Sequence, residues 1–241
     1  MYAIQATYRG TSRRRADYVR QVADALGHAG GVHEARVLGA EDALVLAGDS
    51  DSATGVVLNL LQAGDFAVGI AAVTGDELDA ADAYESTSGE GSDGDKPGDE
   101  DEGTAQAGSQ DDPLTAQLAA AAARAAEGLR RAGQIHSRVE LPGPGGVQYP
   151  GHGMEVASDI TAAFTLLAHM LARRTAEGRE ATALMRQGHL QSEAAEMVGI
   201  SKQAMSQRLA AAGWQAEQAG WQLAVHMLAR TESLQSDDAF R

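Results

Sequence analysis

The 241-residue chain has no cysteine. That excludes a disulfide framework, a thiol nucleophile and a thiolate zinc site. No run approaches the roughly 20 consecutive apolar residues of a membrane span; the alanine-rich stretch 116–126 is interrupted by Gln117 and Arg124. No N-terminal stretch combines a basic start, an apolar core and a cleavage site. The seven histidines, His28, His33, His136, His152, His169, His189 and His226, form no i, i+4 pair and no His-x-His, so no metal site is expected. His169, within an apolar helical stripe, reads as a buried histidine. A Gly-x-Ser-x-Gly nucleophile elbow is also missing. The glycine- and proline-rich segment 142–153 does not end in the Lys-Ser/Thr of a phosphate loop. The expectation is a cytoplasmic protein with no catalytic residue, no metal and no cofactor.

Basic excess is absent as well: the formal net charge is −15. The acidity is concentrated in one place. Residues 75–112 hold 14 Asp/Glu against one Lys, and residues 173–241 hold eight acids against eight bases. The segment 75–112 has almost no large apolar side chain after Tyr84 and cannot offset its ordering entropy by burial, so it reads as a disordered acidic insertion. Its Gly89-Glu-Gly91-Ser-Asp-Gly94 matches the dinucleotide fingerprint literally. No apolar strand leads into it and no helix follows, so the match is rejected. The segment reads as a solvated insertion, or as a DNA-mimicking tail.

Periodicity organises the rest. Residues 2–9, 32–38, 43–47 and 66–73 read as strands, and 12–26 and 50–61 as helices. The order β-α-β-β-α-β favours a ferredoxin-like split βαβ sheet with helices on one face. A helix over 113–132 and a strand over 135–141 complete this α+β domain, 1–141, expected to sense a signal or dimerise. Residues 142–154 read as a linker. Residues 155–241 read as an all-helical domain. In it a long helix carries Val156, Ile160, Phe164, Leu167 and Leu171, and a last helix carries Trp214, Trp221 and Leu228. These two helices are the expected seam of a homodimer.

Residues 190–212 carry the most specific pattern, a helix-turn-helix. Leu190, Ala194, Ala195 and Val198 share one helical face. Gly199 stands where a left-handed turn is needed. Ile200 plugs the corner, Ser201 is a natural N-cap, and Met205, Leu209 and Ala212 line the inner face of the next helix. Lys202, Gln203, Ser206 and Gln207 then fall on the opposite face, where such helices read base edges, glutamine suiting adenine and lysine guanine. Ser201 and Arg208 are expected to contact phosphates or to cap. Arg173, Arg174, Arg179 and Arg186 are further candidates for backbone contacts. A locally neutral module predicts modest affinity per subunit.

The arrangement resembles the SatD family of small bacterial proteins. The resemblance rests on Gly10-Thr11-Ser12-Arg13 after the first strand, Gly48-Asp49 after the third, Gly69-Ile70 within the fourth, and the place of the helix-turn-helix. It implies a regulator rather than a particular chemistry. The N-terminal layout is also similar to nucleotide cyclase cores, in which two carboxylates hold metal ions. Asp49 would be the second acid; Thr7 stands where the first would be, which speaks against a two-metal site. Asp49 and Asp51 are otherwise explained as helix-start residues. The expected function is sequence-specific binding of double-stranded DNA by a homodimer, with an unidentified small-molecule ligand conceivable and no membrane partner. The alternatives are a protein-interaction module without DNA binding and a degenerate nucleotide-binding, cyclase-like protein.

Overall fold

The computed structural model describes residues 1–73, 112–143, 146–148 and 151–237. The acidic segment read as disordered lies outside them, apart from Asp112. The described residues form an α+β structure in which a five-strand mixed sheet is joined by eight helices. Strand β1 (Tyr2–Tyr8) leads to helix α1 (Arg15–Gly27), then strands β2 (Val32–Val37) and β3 (Asp42–Ala47), helix α2 (Ser50–Ala63) and strand β4 (Phe66–Val73). Helix α3 (Pro113–Ala126) and strand β5 (Ile135–Gly143) follow. The sheet order is β2-β3-β1-β4-β5. Strand β1 is antiparallel to β3 (Tyr2 opposite Ala47, Thr7 opposite Asp42) and to β4 (Tyr2 opposite Ala72). Strand β5 lies parallel to β4.

Both faces of the sheet are covered, not one. On the first face Tyr2, Ile4, Ala6, Val45, Val68 and Ile70 meet α1 and α2 in the main core. On the second, Ala3, Leu44, Leu46 and Ala71 pack against Leu118, Ala121 and Ala122 of α3. This is why β1 and β4 are apolar at nearly every position instead of alternating. Helix α3 fits because its contact residues are small and because Gly69 has no side chain. A Cβ there would stand 2.5 Å from the Ala126 amide nitrogen and 2.7 Å from the Ala122 carbonyl oxygen.

The chain expected as a linker pairs instead. Strand β6 (Gly146–Gln148) forms a hairpin with the end of β5, Leu141 opposite Gln148. Helix α4 (Gly151–Ala172) begins three residues later. Helices α5 (Ala176–Arg186), α6 (Gln191–Met197) and α7 (Lys202–Ala211) are short, and α8 (Trp214–Asp237) is long. The core does not divide where the linker was expected. Val156, Ile160, Phe164, Leu167 and Leu171 of α4 and Ala224 and Leu228 of α8 belong to the main core beside β1. The apolar faces of these two helices are therefore used on the sheet. They run side by side, with Arg230 2.6 Å from Asp159. Gly220 allows the crossing, since a Cβ there would stand 2.5 Å from Leu167 Cδ2. The Tyr2 hydroxyl lies 3.0 Å from the Leu228 carbonyl and 3.1 Å from Glu232, tying the first strand to the last helix. Burial pushes its phenol well above the usual value. His169 lies on the outer side of α4 and is exposed, contrary to the expectation of burial.

Candidate nucleic-acid interface

Helices α5 to α7 form a triplet between α4 and α8, with a small core of their own. Ala181, Ala194, Ala195, Met205 and Leu209 are buried together, and Leu184, Met185, Val198, Ile200 and Trp214 pack around them. The other tryptophan, Trp221, packs half-buried against the main core. Two alanines at the centre let α6 and α7 approach closely. The Thr175 hydroxyl caps α5 by accepting from the Gly178 amide at 3.1 Å. At the start of α6 the Glu193 carboxylate accepts from the Leu190 amide at 2.8 Å. Leu190 is thus the cap residue and 65% exposed, not part of the inner face.

The turn between α6 and α7 follows from Gly199, whose φ is +69°. The Ile200 amide donates to the Ala195 carbonyl at 2.9 Å, closing the end of α6. The Ser201 hydroxyl then accepts from the Ala204 amide at 3.1 Å and starts α7. Gln191 bridges the two helices, its Nε2 donating to the Lys202 carbonyl at 3.2 Å. Nothing stands within 4 Å of where a Gly199 Cβ would be, so only backbone conformation disfavours a side chain. Replacing Gly199 by alanine is expected to lower stability by about 1–2 kcal/mol. A urea midpoint shifted down at unchanged slope would show it; an unchanged midpoint would mean that the turn is not held left-handed.

The outer side of α7 is open. Ser201, Lys202, Gln203, Ser206 and Gln207 are all exposed, while Met205 and Leu209 between them are buried. The expected reading residues therefore share one accessible face, and Ser201 also caps. Ser206 borders a cavity of about 400 Å3 beside Gln191, Trp214 and Gln215. Arg208 is half-buried, 3.8 Å from Glu180 of α5.

The four arginines expected to assist do not act alike. Arg173 and Arg179 are exposed. Arg174, expected at a DNA backbone, is instead buried, ion-paired to Glu217 at 2.6 Å, and donates through Nε to the Ala212 carbonyl at 2.7 Å. Its aliphatic stem and its fork of donors close the junction between α4 and α8, too deep to meet a DNA backbone. Arg186 is tied to the same Glu217 carboxylate at 2.8 Å. Sequence reasoning missed Glu217. It stands three residues after Trp214 and looks like any solvated helical acid.

The cyclase-like pairing fails on register. Thr7 is opposite Asp42, whereas Asp49 follows the end of β3 that lies opposite Tyr2. Five strand residues, roughly 17 Å, separate the two positions. Asp49 instead caps α2, accepting from the Ser52 amide at 2.7 Å, a bond that holds its carboxyl below the ordinary value. Thr7 donates to Asp42 at 2.7 Å in a polar groove with Gln5, Arg9, Glu41 and Arg124. Among the described residues no cluster of three or more His, Asp or Glu could hold a metal ion, and no helix is long and apolar enough to cross a membrane. Comparison with family models, with curated proteins and with solved structures gives no match.

Proposed function

We propose that the protein is a sequence-specific DNA-binding regulator in which α6, the turn at Gly199 and α7 act as a helix-turn-helix. The supporting observation is the face of α7: Lys202, Gln203, Ser206 and Gln207 are exposed together on a helix whose other side is locked into a small core. A rigid helix with long polar side chains at its N-terminal end fits a major groove. In this reading Gln203 and Gln207 take adenine edges, Lys202 takes guanine, and Ser201 and Arg208 serve the backbone or the cap. The reading assigns no catalytic residue, metal or cofactor. The strand order β2-β3-β1-β4 with its antiparallel pairs supports a ferredoxin-like split βαβ unit, extended by β5. The resemblance to the SatD family, carried by the sequence motifs alone, is part of the same proposal. A homodimer is part of the proposal, because one triplet carries four bases against four acids over 175–213 and offers little phosphate neutralisation alone.

The experiment is selection from fragmented genomic DNA by the full chain. A variant carrying Lys202→Ala, Gln203→Ala and Gln207→Ala runs beside it. The expected result is enrichment of one palindromic site, lost in the variant, with each single glutamine change costing about 1–3 kcal/mol. Absence of enrichment at low salt would overturn the proposal. A second reading, a protein-interaction module, is favoured by the outward apolar side chains of the α4–α8 pair. Leu166 is 69% and Leu223 45% exposed there. Salt separates the two: counterion release makes DNA binding fall steeply with ionic strength, whereas an apolar helical contact does not.

A further inference from the structure

Where the triplet meets the sheet body there is a cavity of about 190 Å3, lined by Gln62 of α2, Leu171 and Arg174 at the end of α4, and Arg179, Ala183 and Arg186 of α5. The last three recur at i, i+4 and i+7, so α5 turns one face towards it. Three guanidinium groups stand against the single carboxylate of Glu217. That carboxylate is already engaged by Arg174 at 2.6 Å and Arg186 at 2.8 Å, with Gln62 Nε2 3.4 Å away. With Glu177 also within electrostatic reach of Arg179, a positive excess still remains. Arg179 reaches the rim by donating from Nη1 to the Arg174 carbonyl at 2.7 Å. Arg174 has a further feature. Its side chain is 2% exposed, its Nε and Nη1 are bonded, but its Nη2 is buried and has no hydrogen-bond partner. A buried charged donor left unpaired is costly.

We infer that this cavity is a binding site for a small oxyanion, a phosphate or a carboxylate. Guanidinium forks match both groups with paired, charge-assisted hydrogen bonds. The volume corresponds to roughly six waters at about 30 Å3 each and lies below the ~300–1,000 Å3 of sites for drug-sized ligands. A free phosphate or a short dicarboxylate fits; a nucleotide does not. The walls come from two parts of the molecule, α2 and α4 of the sheet body and α5 of the triplet. A bound anion therefore fastens the triplet to the body and holds its orientation. The site stands whether or not α7 reads DNA.

The test is titration calorimetry of the full chain with sodium phosphate and, separately, sodium succinate, against sodium chloride of equal ionic strength. The expected result is saturable heat for at least one of them with Kd near or below about 1 mM, and a rise in Tm that chloride does not reproduce. Binding of phosphate alone assigns a phosphate site, and binding of succinate alone a carboxylate site. Arg179→Gln removes a rim donor and its bond to the Arg174 carbonyl, and is expected to weaken binding about tenfold or more and to abolish most of the anion-dependent rise in Tm, measured against its own Tm in chloride. Gln62→Leu provides a second variant from the opposite wall. No saturable heat for either anion up to about 10 mM, or binding that both variants leave within about twofold, would overturn the inference.

Discussion

Replacing Glu217 by alanine is expected to destabilise the protein by about 3–5 kcal/mol, the range for removing one partner of a buried ion pair. Glu217 and Arg174 are each 2% exposed at the side chain and 2.6 Å apart. Without the carboxylate, the Arg174 charge stays in the protein interior with only the Ala212 carbonyl at 2.7 Å and the Thr182 hydroxyl at 3.4 Å to receive its protons. Arg186 loses its partner too but reaches solvent, so its share is small. At roughly 2–4 °C per kcal/mol for a chain of this size, Tm is expected to fall by about 6–20 °C. A double variant, Arg174→Met with Glu217→Leu, separates charge from shape. Apolar replacement of a whole buried pair is often neutral or stabilising, so this variant is expected to be more stable than Glu217→Ala. Should it be equally unstable, packing at the junction and not unpaired charge would be the cause.

Gly69→Ala is expected to reverse the usual sign of a glycine-to-alanine change. Within a strand, glycine normally weakens the chain by roughly 0.5–1 kcal/mol relative to alanine through backbone entropy, so alanine should help. Here the new methyl would meet the backbone of α3, 2.5 Å from the Ala126 nitrogen and 2.7 Å from the Ala122 oxygen. Backbone atoms cannot rotate away as a side-chain tip does. Helix α3 must lift, and Leu118, Ala121 and Ala122 lose contact with Ala3, Leu44 and Ala71. The expected loss is about 2–4 kcal/mol, at or above the upper end for overpacking. Faster amide exchange along α3 than along α2 would locate it. A gain in stability would show that α3 does not sit against Gly69.

Much of the local structure was legible because local rules decide it. The strands and helices through β4 followed from apolar periodicity. The Gly199 turn, the Ser201 cap and the buried Met205 and Leu209 followed from residue types at fixed offsets. What sequence could not supply was the partner of each apolar face. The stripe on α4 requires burial, but the same stripe would serve a separate helical domain or a dimer seam. Only the assembled fold shows that it packs on β5 and α2. Alanine-rich α3 carries one leucine among small residues, a weak signal until Gly69 explains why small residues are wanted. Arg174 and Glu217 are 43 positions apart, and charge alone reads as solvent-facing. Leu190 looked apolar and inward, yet a cap residue lies outside the first turn and points away from the core.

The bond between the Tyr2 hydroxyl and the Leu228 carbonyl joins residues 226 positions apart. Strand β1 is central in the sheet, with β3 and β4 on its two sides, and the carbonyl that receives its Tyr2 hydroxyl is made 226 positions later. On a translating ribosome, at roughly 5–20 residues per second, the first strand waits about 10–45 s for that partner. During this interval the Tyr2 hydroxyl lacks the carbonyl that receives it in the folded chain. The seat of Tyr2 is therefore completed only once α8 has left the ribosome. Slowing translation between residues 8 and 214 should lengthen the wait for that contact.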